Sequence, residues 1–260
     1  MATIVFFHAH PDDEAIATGG TMARLSDEGH RVVLVTATGG ELGEVADGFL
    51  DPGETLAERR AREVEAAARI LGAARGEFLG YHDSGMIDTP ANEAPESFWQ
   101  APTEEAAERL ATILREESAD VLTCYDHHGN YGHPDHIKVH QVGVRAAELA
   151  GTRRVYEATV DRDAIVEMMR QQSGPGDGPE SPVDIGELGM PGHLITTRVD
   201  VTKWIDRKKQ AMRAHASQIA ETSFFLAMPD DMFEMVWGTE SYIRRGAPAG
   251  TAETTLVDGL

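Results

Sequence analysis

The chain has 260 residues with 23 Lys and Arg against 44 Asp and Glu, a formal net charge of −21, which excludes a broad nucleic-acid footprint because neutralising phosphates takes surplus cations. With 41% hydrophobic and 26% charged residues it reads as a globular chain with one large core, and the remaining acids read as solvated surface. The only cysteine, Cys124, cannot close an internal disulfide; MATIVFF lacks the basic, long-apolar pattern of a signal peptide, and no apolar run reaches the roughly 20 residues of a membrane helix, so a cytoplasmic chain with no membrane partner is expected.

Thr3 to Phe7 form a short β-branched and aromatic run, the composition of a buried strand, and it ends in His8-Ala9-His10-Pro11-Asp12-Asp13-Glu14. Ala15 to Glu28 has helical spacing, with Ile16, Met22 and Leu25 inward and Gly29 placed to stop it. Arg31 to Ala37 is a second strand, followed by the loop Gly39-Gly40-Glu41-Leu42-Gly43-Glu44. Strand, helix and strand in succession predict a parallel sheet whose ligands bind beyond the strands' carboxyl ends. A helix from about Glu54 to Leu71 stops at Gly72, a short strand lies near Glu77 to Gly80, and another helix runs from about Thr103 to Glu117 with Thr103 as its N-cap. Asp120 to Tyr125 is the fourth strand, Pro134 to Ala150 a helix closed by Gly151, and Val155 to Val160 the fifth strand.

The expected fold is α/β: a Rossmann-like, mostly parallel sheet with helices on both faces and a small C-terminal lobe. Residues 1–170 form the metal-binding catalytic domain in this reading. Residues 171–192 form a loop or lid, because ten of the twenty residues from Ser173 to Gly192 are Gly or Pro. Residues 193–245 complete the same domain with a strand, Leu194 to Val199, and helices near Lys203 to Ala220 and Asp230 to Val236. The tail after Arg245 is expected to fray.

Five of the eleven histidines, His127, His128, His133, His136 and His140, fall within fourteen residues after the fourth strand. The first strand delivers His8, His10, Asp12, Asp13 and Glu14 to the same sheet edge. A hydrolytic zinc site needs about three His or carboxylate ligands and one open position for water. His10 and Asp13, three apart in a strand-to-helix turn, can converge on one ion, and His136 can supply the third ligand. Asp12 is then free to act as general base. Either motif alone has a structural explanation, Asp12 or Asp13 capping the next helix and His133 or His136 satisfying backbone groups; the two together favour the metal. His127 and His128 read as solvent-facing loop residues. His8 is either a partner beneath the site or a buried neutral histidine, and His140 either orients His136 or lies on the surface. These donors suit zinc and ferrous iron alike. The absence of GxSxG and HExxH removes serine-hydrolase and zincin chemistry. Arg60 interrupts the inward helix stripe Leu56, Val64, Ala67, Leu71, so it pairs with Glu44 or Asp83, grips a polar substrate, or snorkels to solvent.

Ala9-His10-Pro11-Asp12-Asp13-Glu14 with Tyr131-Gly132-His133-Pro134-Asp135-His136 resembles the PIG-L/LmbE family of metal-dependent N-acetylglucosamine deacetylases. The resemblance covers about residues 3 to 160, with His215-Ala216-Ser217-Gln218 a weaker feature beyond. Asp83-Ser84-Gly85-Met86 and the Glu54 to Leu71 helix are most similar to the mycothiol-pathway branch, which includes a deacetylase of N-acetylglucosaminyl-inositol and an amidase of mycothiol conjugates. Asp126-His127-His128-Gly129-Asn130 departs from that branch, which bears on substrate and not on metal. The resemblance implies that His10, Asp13 and His136 bind the metal, Asp12 is the base, His133 and Tyr131 stabilise the reacting centre, and Arg60, Glu44 and Asp83 contact the sugar or inositol.

The expected reaction is acetamide hydrolysis by metal-activated water, with zinc first and ferrous iron second as the ion. Asp12 accepts the proton, Tyr131 and a protonated His133 donate to the oxyanion, and His133 protonates the leaving amine. Asp135 either holds His133 or shapes the turn. The expected partner is a small N-acetylated sugar, and homo-oligomer formation stays open. The alternatives are an amidase of thiol conjugates and a non-catalytic α/β module binding a metal or nucleotide.

Overall fold

The computed structural model describes residues 1–172, 186 and 188–260. β1 (Thr3–His8) is buried on both faces, with no exposed surface on Ile4, Val5, Phe6 or Phe7, as a strand covered by helices on each side requires. A π-helical turn, Glu14–Thr18, leads into α1 (Gly19–Asp27), and β2 (Arg31–Thr38) pairs parallel to β1 with Val5 opposite Val33. α2 (Leu56–Leu71) starts on a capping box between Thr55 and Glu58 and ends on left-handed Gly72. β3 (Arg75–Tyr81), α3 (Thr103–Glu116), β4 (Val121–Tyr125), the single turn α4 (Gly129–Gly132), α5 (Pro134–Ala150), β5 (Arg154–Thr159) and α6 (Arg162–Gln172) follow. The chain finishes with β6 (Thr197–Asp200), α7 (Ile205–Ala214), α8 (Asp230–Trp237) and β7 (Thr239–Arg244).

Among the described residues seven strands lie in the order β3-β2-β1-β4-β5-β7-β6; the first five are mutually parallel, β7 runs antiparallel to β5, and β6, antiparallel to β7, runs in the direction of the first five. From β1 the sheet grows one way through β2 and β3 and the other way through β4 and β5. The loops leaving β1 and β4 therefore diverge and open a crevice at their carboxyl ends. α1, α2 and α7 pack together on one face, and α3 packs with α5 on the other. Gly143 of α5 lets that helix sit close on β4, since a Cβ there would lie 2.9 Å from the Cβ of Cys124. Cys124 is a free, buried core residue.

Several boundaries differ from the sequence reading. The first helix is two pieces, because the π turn offsets its register before α1. Thr103 is the first helical residue and not the cap; Pro102 precedes it, and the Thr103 hydroxyl accepts from Lys138 Nζ at 3.2 Å. The late strand begins at Thr197, after a short 3₁₀ turn at Gly192–Leu194, and α6 and β7 are additional elements. α7 ends at Ala214, so His215 to Ala220 is not helical. The tail does not fray: Glu253 bridges to Thr197 and takes hydrogen bonds from Tyr156, Thr197 and Arg244, and Leu256 has no exposed surface. The Gly/Pro-rich stretch read as a loop or lid lies, over 173–185 and 187, outside the described residues. No helix among the described residues is long and apolar enough to cross a membrane.

Candidate metal and catalytic site

The crevice between β1 and β4 brings the two histidine-carboxylate motifs together. In the turn after β1, the His10 amide donates to Asp13 Oδ2 at 2.8 Å, and Asp12 adopts φ 116°, a conformation L side chains rarely take. After β4, buried Asp126 holds the next turn by accepting from the amides of His128 and Asn130 and from Thr159 Oγ1. Gly129 and Asn130 there have positive φ, and a Cβ on Gly129 would meet the Cβ of His136 at 2.6 Å. The turn can thus fold against α5, whose Pro134 start is pre-set for a helix.

His10 Nδ1 lies 3.5 Å from Asp13 Oδ2, and Asp13 Oδ1 lies 3.5 Å from His136 Nε2. One donor atom from each of His10, Asp13 and His136 falls within 4.8 Å of the others, and His10, Asp83 and His133 form a second such group. In the second group His10 Nε2, 3.5 Å from Asp83, is also bound to Asp135 at 3.1 Å. The first group is the better site, since it leaves His10 with an ion on one ring nitrogen and a carboxylate on the other.

His136 provides the test of fit. Its ring is buried and stacked on Tyr125 at 4.5 Å between centroids, and among the described residues neither Nδ1 nor Nε2 has a hydrogen-bond partner. A buried imidazole left so is costly unless a ligand takes one nitrogen. Burial pushes its pKa down to about 3, leaving it neutral and able to donate a lone pair. Burial opposes charge on His10 too, but Asp13, Asp135 and Asp83 together raise its pKa well above the ordinary value. Asp13 is held well below its ordinary value against burial by His136 and His10. Two imidazoles, one carboxylate and surplus negative charge suit a divalent cation of the zinc or iron type.

Comparison with known proteins shows the family. The profile of PIG-L, GlcNAc-PI de-N-acetylase, matches residues 5–147. The chain belongs to the PIG-L family. It is 41% identical, over 100% of its length and 96% of the other's, to 1D-myo-inositol 2-acetamido-2-deoxy-alpha-D-glucopyranoside deacetylase of Acidothermus cellulolyticus. It is 40% identical to the protein of the same name from Nocardiopsis dassonvillei, over 97% of this chain and 99% of that one. Among solved structures, N,N'-diacetylchitobiose deacetylase from Pyrococcus horikoshii matches with a TM-score of 0.59 and 25% identity, over 93% of this chain and 83% of that one.

In this PIG-L family member the remaining predicted residues divide between site and surroundings. Burial pushes the Asp12 carboxyl up to about 7, against the pull of Arg60. Arg60 is buried, but its partners are neither Glu44 nor Asp83: Nη1 donates to the Gly40 carbonyl at 2.7 Å, Nη2 donates to the Pro11 carbonyl, and Nη2 lies 3.3 Å from Asp12 Oδ1. Asp83 is buried beside His10, and it ties two loops by accepting from the Leu42 amide while its own amide donates to Glu41. Glu44 is exposed on the loop after β2. Tyr131 is 44% exposed, with its ring 5.0 Å from that of His136.

His133, the expected acid, lies with its ring 4.7 Å from that of His10 between centroids. Its Nδ1 accepts the Asp135 amide at 3.1 Å, which requires that nitrogen to be unprotonated, and burial with neighbouring His10 lowers its pKa. With Nδ1 so used, Nε2 is the ring nitrogen that can face a ligand. His8 is the buried neutral histidine, bonded to the Tyr125 and Thr18 hydroxyls, with its pKa lowered by burial. His140 orients on the Tyr125 carbonyl at 3.0 Å and not on His136. His127 is exposed and His128 half-buried.

Sequence reasoning missed three supports. Asp135 holds His10 through its carboxylate as well as His133 through its amide, and the carboxylate is itself fixed by the Ser84 amide at 2.9 Å and the Ser84 hydroxyl. Glu14 and His215 form a buried pair at 2.5 Å beneath the turn. The placement of Asp135 between His133 and His136 was a signal for the first; Ser84 and His215 lie in segments that carried the family resemblance, but nothing local in either segment named its partner.

Proposed function

We propose that the protein removes the acetyl group from N-acetylglucosaminyl-inositol by metal-dependent hydrolysis, in the cytoplasm, where a lone buried thiol needs no disulfide partner. The observation that carries the reading is the unpartnered, buried His136 facing Asp13 and His10, with the raised carboxyl of Asp12 beside them. A divalent ion held by His10, Asp13 and His136, zinc by preference and ferrous iron as the alternative, supplies a Lewis acid for the amide carbonyl and makes the attacking water more acidic.

Asp12 accepts the water's proton as the oxygen–carbon bond forms; a pKa near 7 suits a base that must also give the proton back. His133 Nε2–H and the Tyr131 hydroxyl donate to the developing oxyanion. A neutral imidazole whose other nitrogen accepts a backbone amide has only this one proton, and releasing it would leave an anion. The proton that Asp12 took is therefore the one delivered to the leaving nitrogen, and the carbon–nitrogen bond breaks to give acetic acid and the free amine, which separate as acetate and ammonium once the acid's proton passes to the amine. Asp83 and Glu44, on the loops after β3 and β2, receive sugar or inositol hydroxyls, while Arg60 acts through Pro11, Gly40 and Asp12.

The test is acetate release from N-acetylglucosaminyl-inositol by the zinc-loaded, iron-loaded and chelated protein and by Asp12→Asn, beside a cysteinyl amide of the deacetylated sugar. Asp12→Asn is expected to bind its metal but to lose about 10²–10⁴-fold in kcat. Unchanged turnover in that variant overturns the base assignment, and preferential cleavage of the cysteinyl amide replaces the deacetylase with a conjugate amidase.

A further inference from the structure

The segment His215-Ala216-Ser217-Gln218 contributes neither a metal ligand nor the base, yet it reaches the catalytic turn from 201 residues away. His215 and Glu14 have no exposed surface, and His215 Nε2 lies 2.5 Å from Glu14 Oε1. The other oxygen of Glu14 accepts the Asp12 amide at 3.1 Å. The two oxygens of Glu14 are thus divided between the base's own backbone and a histidine from the far end of the chain.

The segment is anchored on its other side as well. The Ser217 amide and hydroxyl donate to the two oxygens of buried Glu63 on α2 at 2.9 and 2.6 Å, and Gln218 Nε2 donates to the Glu44 carbonyl at 3.2 Å. Asp12 meanwhile sits at φ 116°, a conformation that persists only where the surroundings enforce it. Arg60 restrains the carboxylate and the Pro11 carbonyl, but the restraint on the Asp12 amide is Glu14.

We propose that Glu14 and His215 are positioning residues for Asp12: His215, braced on α2 through Ser217 and Glu63, fixes the Glu14 carboxylate, which holds the Asp12 backbone in its left-handed conformation and so aims the base. The proposal rests on Asp12 being the base. It makes the C-terminal segment part of the rate-setting geometry although it supplies neither the proposed metal ligands nor the base. Misplacing a catalytic group by about 1 Å costs as much as 10²-fold in rate.

The experiment uses the metal-loaded, full-length protein and the N-acetylglucosaminyl-inositol assay. His215→Phe, which keeps the ring volume and removes the N–H, is expected to lower kcat by about 10–100-fold with KM, metal content and circular dichroism as in wild type. His215→Gln, which restores a donor near the Nε2 position, recovers most of that loss. In an Asp12→Asn background His215→Phe has no further effect on kcat, because the group it aims is already gone. Wild-type kcat in His215→Phe, the same fractional loss in the Asp12→Asn background, or loss of metal and of KM together with kcat overturns the proposal. Should His215→Phe not fold, Glu14→Gln, which cannot accept both N–H groups, is read against the same outcomes. Asp12→Asn by itself reports on the base, so failure there is distinguishable from failure of the positioning pair.

Discussion

His133 accepts a backbone amide at Nδ1, so in the proposed reaction it serves as a fixed hydrogen-bond donor and not as a proton donor. His133→Phe is expected to lower kcat by about 10²–10³-fold, the cost of one oxyanion donor. His133→Gln, which keeps an N–H near the same point and cannot act as an acid, should retain much more activity than the Phe variant; equal loss in steady-state kinetics speaks for general acid catalysis by His133. At this scale the grouping proposed to hold the metal was legible because His10 and Asp13 are local in sequence and His136 lies in the second dense motif. The partners of Asp135 and Arg60 were not, since each depends on which loop crosses above it. Asp135 meets His10 from 125 residues away, and Arg60 meets Pro11 from 49.

Elements buried on both faces were the readable ones. β1, β2 and β4 are continuous apolar runs because helices cover both sides, and such runs need no partner to be recognised. β7 reads as polar, Thr-Glu-Ser-Tyr-Ile-Arg, yet Glu240 is buried there. It accepts from the Gly20 and Thr21 amides at 2.8 Å each and pairs with Lys208 Nζ at 2.5 Å. Only assembly supplies those partners, so the strand was invisible before it. The turn α4 carries the element-scale prediction: Gly129→Ala places a Cβ 2.6 Å from that of His136 at φ 65°. It should cost about 1–3 kcal/mol and loosen metal binding, measured as a lower Tm and a higher dissociation constant for zinc in equilibrium dialysis. An unchanged Tm contradicts the packing argument.

Across the whole molecule, ties between distant segments decide stability. Glu117 at the end of α3 bonds Arg31 at the start of β2 at 2.5 Å and Arg75 at the start of β3 at 3.0 Å, which holds its pKa below the ordinary 4.5. A depressed carboxylate contributes stability above its unfolded pKa and loses it as pH falls through the folded value. Glu117→Gln should therefore lower Tm at about pH 7 and by much less at about pH 3; an equal drop at both, by calorimetry, denies the electrostatic tie. Removing residues 246–260 uncovers the site of Leu256 and frees Tyr156, Thr197 and Arg244 from Glu253, so a chain ending at Arg245 should melt lower by calorimetry than the intact one. An unchanged Tm identifies the tail as dispensable. The sequence by itself determined the alternation of apolar strands and helices, the crevice where β1 and β4 end, and the ion-binding residue types, because periodicity and short-range spacing are properties of neighbouring residues. Only the tertiary structure decided which carboxylate backs which histidine, that Arg60 serves Asp12, that the last strands and tail close the sheet, and that His215 reaches the catalytic turn. Those contacts join residues tens to hundreds of positions apart, and their energies exist only once burial has removed water from both partners.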